Sequence, residues 1–192
     1  MSQPVQVTVH SDPGCPWAYS AAPSLRVIDW RYREQLEWRL VLIGLTEVAQ
    51  QYLDRGYTPF SMSRGYVTFR TRFGMPFGTT PRARVVGTGR ACRAIAAARL
   101  LQPGSEWLVF RALQFGWFTT PGLLDEDAAI LAAIRDVPWI DAERVVSLLD
   151  DPGSSRRTSA TGPRPGRRPA RRPSCRARPP RRTAPSATRR PR

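Results

Sequence analysis

The sequence predicts an α/β protein in which a β-α-β unit at the start is followed by a long helical region. Val5, Val7 and Val9 alternate with polar residues, and a second alternating run covers Leu36–Gly44. Period-2 alternation is typical of strands. Because the stretch between them has helical composition, the order fits a parallel crossover unit. From Leu45 onward no convincing strand is found.

The elements of this opening unit follow from local chemistry. The first strand covers 4–11, and Asp12-Pro13-Gly14 then predicts a turn. Pro16 suits the first turn of a helix, because the N–H that proline lacks has no helical partner there. Residues 18–31 have helical composition, and Pro23 inside them is expected to kink the helix or delay its start.

The region 45–150 is predicted to be helical. Proline and glycine residues fall between the helical stretches, and Asp125 and Asp141 are predicted N-caps. The predicted helices are 46–55, 61–73, 83–101, 105–118, 125–136 and 141–150.

The charge of the chain is concentrated at one end. Residues 152–192 hold 14 of the 30 arginines and none of the 15 acidic residues, so they supply almost all of the formal charge of +15. They also contain no Leu, Ile, Val, Phe, Tyr, Trp or Met, which predicts disorder. We therefore expect one domain, 1–151, followed by an arginine- and proline-rich tail.

The tail has two interpretations. Clustered arginines neutralise phosphates, so non-specific nucleic-acid binding is one of them. The other, which we prefer, is translation of a G+C-rich gene out of frame, because the composition changes abruptly near Asp151 and no aromatic residue is available to stack on bases.

Several classes of protein are excluded by simple patterns. The longest apolar run, Ala128–Ile134, is far shorter than the roughly 20 residues that a membrane helix needs. No signal peptide is visible, and three scattered cysteines do not form a disulfide framework, which indicates a cytoplasmic protein. With a single histidine and no Cys-x-x-Cys pair, no metal site is expected.

Cys15 is the main candidate for chemistry. It lies between a strand end and a helix start, with Gly14 before it and Pro16 after it. Unpaired N–H groups in the first turn of a helix favour a thiolate, which is the nucleophilic form of cysteine. The alternative is a small apolar residue that happens to precede a helix.

These residues resemble the DsbA-like branch of the thioredoxin-fold oxidoreductases, which includes 2-hydroxychromene-2-carboxylate isomerases and kappa-class glutathione transferases. The similarity covers about 5–150, and its central motif is Asp12-Pro13-Gly14-Cys15-Pro16-Trp17. Phe73–Phe77 and Phe110–Phe115 are similar to segments of the helical insertion in this branch. The resemblance implies a thioredoxin-like β-α-β start with a large helical insertion at 45–150.

The resemblance also implies a site. Cys15 would be the nucleophile, with Trp17 beside it. The pocket for a substrate or small thiol would be formed by Asp12, Pro16, Trp17, Tyr19, Met75 and Phe77. The implied partners are a small thiol or a thiol/disulfide substrate, with no tightly bound cofactor and no membrane.

Two departures from the family pattern limit what the resemblance implies. Dithiol members have a second cysteine where this chain has Ala18, so an intrahelical disulfide cannot close and monothiol chemistry is expected. Members also return to the sheet after the insertion, through a cis-proline loop, two strands and a final helix. No such pattern follows Asp151, so we expect the C-terminal half of the sheet to be missing, and an inactive chain is one expected consequence.

Three functions stay open on these grounds. The first is a thiol-dependent oxidoreductase of the DsbA-like type. The second is an isomerase or transferase on the same fold that activates a bound low-molecular-weight thiol. The third is nucleic-acid binding through the tail, which would be non-specific.

Three other residues are weaker candidates. His10 could act as a base for Cys15, but its place on a strand face, distant from the helix start, predicts an ordinary side chain with its hydrogen bonds satisfied. Cys92 is expected to be a buried helical cysteine. Cys175 lies in the tail, and Asp12 in a turn before Pro-Gly is also ordinary turn chemistry.

Overall fold

The computed structural model describes residues 3–150, and it begins with the predicted crossover unit. Strand β1 (Val5–Ser11) is followed by helix α1 (Pro16–Tyr32), a 3-10 turn (Arg33–Gln35) and strand β2 (Leu36–Leu42). The two strands are parallel and hydrogen-bonded to each other. The predicted β-α-β start is therefore confirmed. The predictions for residues 152–192 lie outside the described residues.

The sheet is buried at one end and open at the other. Val5 pairs with Leu36 and is 63% exposed, whereas Leu40 and Leu42, near the carboxyl ends of the strands, belong to the core. An open apolar cleft of about 600 Å³ lies between α1 and the amino-terminal half of the sheet. The carboxyl ends of the strands, where the chain turns into α1, are consequently the buried end of this unit.

Helix α1 begins at Pro16, as the proline there predicts, and so two residues before the stretch of helical composition at 18–31. Cys15 is its N-cap and Pro16 its first residue, and the helix continues through Pro23 to Tyr32. The expectation that Pro23 delays the start is wrong. A single missing N–H costs the helix one backbone hydrogen bond, and Tyr19, which is fully buried, anchors the first turns in the core.

Six helices follow in the part of the chain that the structure describes. They form the predicted helical insertion, and several of them are shorter than their predicted spans. They are α2 (Gln50–Leu53), α3 (Pro59–Phe73), α4 (Gly89–Leu101), α5 (Glu106–Thr119), α6 (Asp127–Ile134) and α7 (Ala142–Ser147).

Two of the shortened helices meet at one place. The helices predicted at 46–55 and 83–101 begin only at Gln50 and Gly89, because the segments before them pack against each other. The Thr88 N–H donates to the Thr46 carbonyl at 2.7 Å. A Cβ on Gly87 would lie 2.8 Å from the Val48 backbone, and one on Gly89 would lie 2.5 Å from Glu47. Close backbone approach therefore overrides the helical propensity of both segments.

Side-chain caps start two of the helices. Thr58 forms a capping box with Ser61 at α3, and Asp141 accepts a hydrogen bond from the Arg144 N–H at α7, as predicted. The cap predicted at Asp125 is wrong, because α6 begins at Asp127 and the Asp125 carboxylate instead binds Arg84 at 2.5 Å.

Helix α4 passes through the centre of the core. Ala94, Ile95, Ala97 and Ala98 are fully buried, and small alanine side chains let neighbouring helices approach closely. Helices α5 and α7 pack against it, and α6 packs against α5 and α7. Trp117 and Phe118 of α5 are among the largest buried residues. No helix in residues 3–150 is both long and apolar enough to span a membrane.

Candidate functional site

Cys15 lies half-exposed at the start of helix α1. Its backbone is extended (φ −82°, ψ 110°), and its carbonyl accepts the first helical hydrogen bond, from the Tyr19 N–H at 3.0 Å. Its own N–H donates to the Asp12 carbonyl at 3.1 Å, and its side chain makes no capping hydrogen bond. The thiol therefore stands at the positive end of a seventeen-residue helix.

Asp12 is fully buried directly beneath this turn. Oδ1 accepts the Gly14 N–H at 2.7 Å, and Oδ2 accepts the Leu45 N–H at 2.8 Å. Oδ2 also accepts the Thr88 hydroxyl at 2.9 Å and the Cys92 thiol at 3.7 Å. Burial raises the pKa of the Asp12 carboxyl, and these hydrogen bonds partly oppose that rise. The Asp12 side chain therefore stabilises the turn through these hydrogen bonds. Contact between Asp12 and a substrate stays a prediction.

Trp17 follows on the exposed side of the turn, with 57% of the residue accessible. Its ring packs edge-on against Phe69 at 4.8 Å and Phe73 at 5.8 Å, between ring centroids. The Arg72 guanidinium lies 5.6 Å from the centre of the Trp17 ring. We call these four residues of α1 and α3 the aromatic surface.

The other predicted pocket residues lie in two places. Pro16 is half-exposed beside Cys15, whereas Tyr19, Met75 and Phe77 are buried in the core. The Tyr19 hydroxyl donates to the Pro76 carbonyl at 2.9 Å. Cys15, Pro16 and Trp17 therefore share the surface at the start of α1, and a binding role for the three buried residues stays a prediction.

Arg111 of α5 borders the buried part of this region. Its guanidinium lies 4.9 Å from the centre of the Tyr19 ring and 4.2 Å from that of Phe115. Burial raises the pKa of the Tyr19 hydroxyl, and the nearby Arg111 charge opposes that rise. The buried ring of Tyr19 thus holds the first turn of α1 against α5.

The weaker candidates Cys92 and His10 differ in burial. Cys92 is buried in α4, as expected, and burial raises the pKa of its thiol well above the usual range. His10 is exposed on β1 and lies beside Val41 of β2. Among residues 3–150 no cluster of three or more His, Cys, Asp or Glu side chains could hold a metal ion.

Thr88, Phe69 and Arg72 are the residues near the site that sequence reasoning missed. Thr88 lies between Gly87 and Gly89, and flanking glycines are a signal of close backbone approach. Phe69 and Arg72 carry no signal of their own, because they reach Trp17 only through the packing of α3 on α1.

Comparison with known proteins finds similar solved structures but no similar sequence among family models or curated proteins. No family model and no curated protein matches the sequence. Among solved structures, a provisionally assigned protein disulfide isomerase from Nitrosomonas europaea matches with a TM-score of 0.65 and 18% identity, over 80% of this chain and 74% of its own.

Two further structures agree with that match. The cytosolic disulfide reductase DsbM from Pseudomonas aeruginosa, solved with GSH, has a TM-score of 0.59 and 18% identity over 79% of this chain and 76% of its own. A provisionally assigned DsbA oxidoreductase from Streptomyces coelicolor has a TM-score of 0.60 and 15% identity, over 80% of this chain and 71% of its own. The chain therefore has the DsbA-like thioredoxin fold with a helical insertion.

Proposed function

We propose that the protein is a thiol-dependent disulfide oxidoreductase that uses Cys15 as a single nucleophilic thiol. The observation that carries the proposal is the half-exposed Cys15 at the N-terminus of α1, within a DsbA-like fold. The N-terminus of a helix favours negative charge, because the helix dipole and the N–H groups of the first turn point toward it.

The reaction has two exchange steps. In the first, the Cys15 thiolate attacks one sulfur of a disulfide, so that a mixed disulfide forms and the other sulfur leaves as a thiolate. In the second, a small thiol attacks the mixed disulfide, restores the Cys15 thiolate and leaves with the substrate sulfur. An external thiol is needed because Ala18 occupies the position of the resolving cysteine.

The aromatic surface supports a small anionic thiol as the partner. Trp17 and Phe73 offer exposed apolar area beside Cys15, and Arg72 adds a positive charge over the Trp17 ring. Glutathione combines a thiol with two carboxylates, and DsbM was solved with GSH. The proposal includes a cytoplasmic location, where such thiols are reduced, and no tightly bound cofactor.

Replacement of the nucleophile tests the proposal. Cys15→Ser should lower the glutathione-dependent reduction of bis(2-hydroxyethyl) disulfide by at least about a hundredfold, because the hydroxyl cannot form a mixed disulfide. The assay follows glutathione disulfide formation through NADPH and glutathione reductase. Cys175→Ser is the matched cysteine control and should keep wild-type turnover. Equal turnover of Cys15→Ser and the wild type would contradict a catalytic role for Cys15.

A second candidate function is an isomerase or transferase that activates a bound small thiol. The alanine at position 18 favours it, since such chemistry needs no resolving cysteine. The two functions differ in the serine variant. A hydroxyl at position 15 can still hydrogen-bond the thiolate of a bound glutathione, so conjugation of glutathione to 1-chloro-2,4-dinitrobenzene would survive Cys15→Ser while disulfide reduction is lost.

A further inference from the structure

A buried polar cluster joins the Cys15 turn to the helical insertion. Asp12 contributes the carboxylate, Thr88 donates its hydroxyl from just before α4, and Cys92 donates its thiol from the first turn of α4. Asp12 and Thr88 are fully buried and Cys92 nearly so. We call these three residues the clasp.

The Thr88 hydroxyl has two acceptors and one proton. Its oxygen lies 2.9 Å from Asp12 Oδ2 and also 2.9 Å from the Thr46 carbonyl. With Asp12 ionised, the proton is directed to the carboxylate, because hydrogen bonds to a charged acceptor are the stronger ones. With Asp12 protonated, the carboxyl can donate to the Thr88 oxygen, and the Thr88 proton can turn to Thr46. The clasp thus has two hydrogen-bonded arrangements.

The clasp touches the turn on both of its sides. Asp12 holds the Gly14 N–H through Oδ1 and the Cys15 N–H through its own carbonyl. On the other side, a Cβ on Gly14 would come within 2.6 Å of the Thr88 methyl group, so Thr88 lies directly against the turn. A shift of Thr88 or of the Asp12 carboxylate therefore moves the backbone that carries Cys15.

We propose that Thr88 is a positioning residue for Cys15, acting through the Asp12 carboxylate to fix the turn in its reactive arrangement. The proposal rests on the proposed function in taking Cys15 as the nucleophile. It makes the reactivity of Cys15 dependent on a fully buried residue of the insertion.

The ionisable groups around Asp12 are few. Cys15 lies on its own turn, Cys92 on α4, Tyr52 on α2, and Glu47 acts on Cys92 from the loop before α2. Burial raises the pKa of Asp12, whereas the Thr88 hydrogen bond lowers it. Loss of the Thr88 hydroxyl should consequently move the titration of Asp12 to higher pH.

The test compares Thr88→Val, which keeps the shape, with Thr88→Ser, which keeps the hydroxyl. The full chain is reacted with 2,2′-dipyridyl disulfide from pH 3 to pH 8, and labelling of Cys15 is measured by mass spectrometry of its peptide. Thr88→Val should lower the labelling rate at neutral pH by roughly three- to tenfold, and should shift the acid inflection of the profile to higher pH. Thr88→Ser should restore both.

Ile95→Val provides the control for lost stability, because Ile95 is buried in α4, the helix that Thr88 precedes, and has no part in the clasp. Its Cys15 profile should match the wild type. The proposal is overturned if Thr88→Val gives the wild-type profile, if Ile95→Val changes the profile equally, or if the wild-type profile fits one titrating group. Since labelling is independent of turnover, a failure of the clasp is distinct from a failure of the proposed enzymatic activity.

Discussion

Cys15 enters helix α1 with its own N–H already bonded to Asp12 and its carbonyl bonded to Tyr19. Gly14 is likewise held by the Asp12 side chain, and Pro16 has no N–H. The N–H groups that remain at the start of the helix are those of Trp17 and Ala18, which lie before the first intrahelical donor. An anion at position 15 therefore lies beside the N–H groups that lack helical partners.

Ala18 determines whether this thiol acts alone. Ala18→Cys should form an intramolecular disulfide with Cys15, because residues three apart in the first turn of a helix lie on one face and both positions are half-exposed. Oxidation by glutathione disulfide should lower the mass of the variant by about two hydrogens, and dithiothreitol should reverse the change. The double variant Cys15→Ser/Ala18→Cys should show no such loss. Absence of the bond in the single variant would mean that the turn differs from the one described.

At the scale of elements, the turn between β1 and α1 is fitted against α4 and α5. Gly14 faces the Thr88 methyl group on one side and the Trp117 ring on the other, at distances that leave no room for a side chain. The turn is thus shaped by the helices packed on it as well as by its own Asp-Pro-Gly sequence. Its glycine is required for space and not for backbone conformation, because Gly14 is not among the residues with positive φ.

Gly14→Ala should therefore destabilise the protein. A Cβ there would lie 2.6 Å from the Thr88 methyl carbon and 3.0 Å from the Trp117 ring, which should lower the free energy of unfolding by about 1–3 kcal/mol. The loss of unfolding free energy is measured by urea denaturation, which is monitored by tryptophan fluorescence. Gly65→Ala in α3 is the matched control, because its Cβ meets nothing within 4 Å, and it should stabilise by roughly 0.5–1 kcal/mol. Equal effects of the two substitutions would refute the close packing of the turn.

At the scale of the whole molecule, one arginine joins the sheet to the helical insertion. Arg99 of α4 donates to the Leu40 carbonyl of β2 at 2.9 Å, and its Nε lies 3.7 Å from the Glu106 carboxylate of α5. Both charged side chains are largely buried. Burial lowers the pKa of Arg99, and the Glu106 charge opposes that change. The Arg99 guanidinium therefore contacts groups on two separate elements, the Leu40 carbonyl of β2 and the Glu106 carboxylate of α5.

Arg99→Met should cost about 3 kcal/mol of unfolding free energy, because it leaves the Glu106 carboxylate and the Leu40 carbonyl buried without the guanidinium. Arg93→Met serves as the control in the same helix. Arg93 pairs with Glu47, whose side chain is 55% exposed, so its loss should cost less than about 1 kcal/mol. The denaturant midpoints of the two variants give the unfolding free energy that each substitution removes. Similar losses would show that Arg99 is no more important than a surface pair.

The order of elements was predictable because it depends on local patterns. The valine alternation of β1, the Asp-Pro-Gly turn and the Pro16 helix start are each encoded within a few residues, and the structure agrees with all three. The same is true of the Asp141 start of α7, whereas α3 begins at Pro59, two residues before its predicted start. The position of Cys15 at the start of a helix belongs to this group, so the candidate nucleophile could be identified without a structure.

What the sequence by itself determined is therefore the β-α-β start, the helical insertion and the cysteine at their junction. The tertiary structure decided which residues surround that cysteine. Thr88 lies 76 positions from Asp12, and Arg72 reaches Trp17 only across two packed helices. The physical reason is that strand and helix periods are short-range properties, whereas the clasp and the aromatic surface arise from contacts between distant segments, where burial and close approach override local propensity.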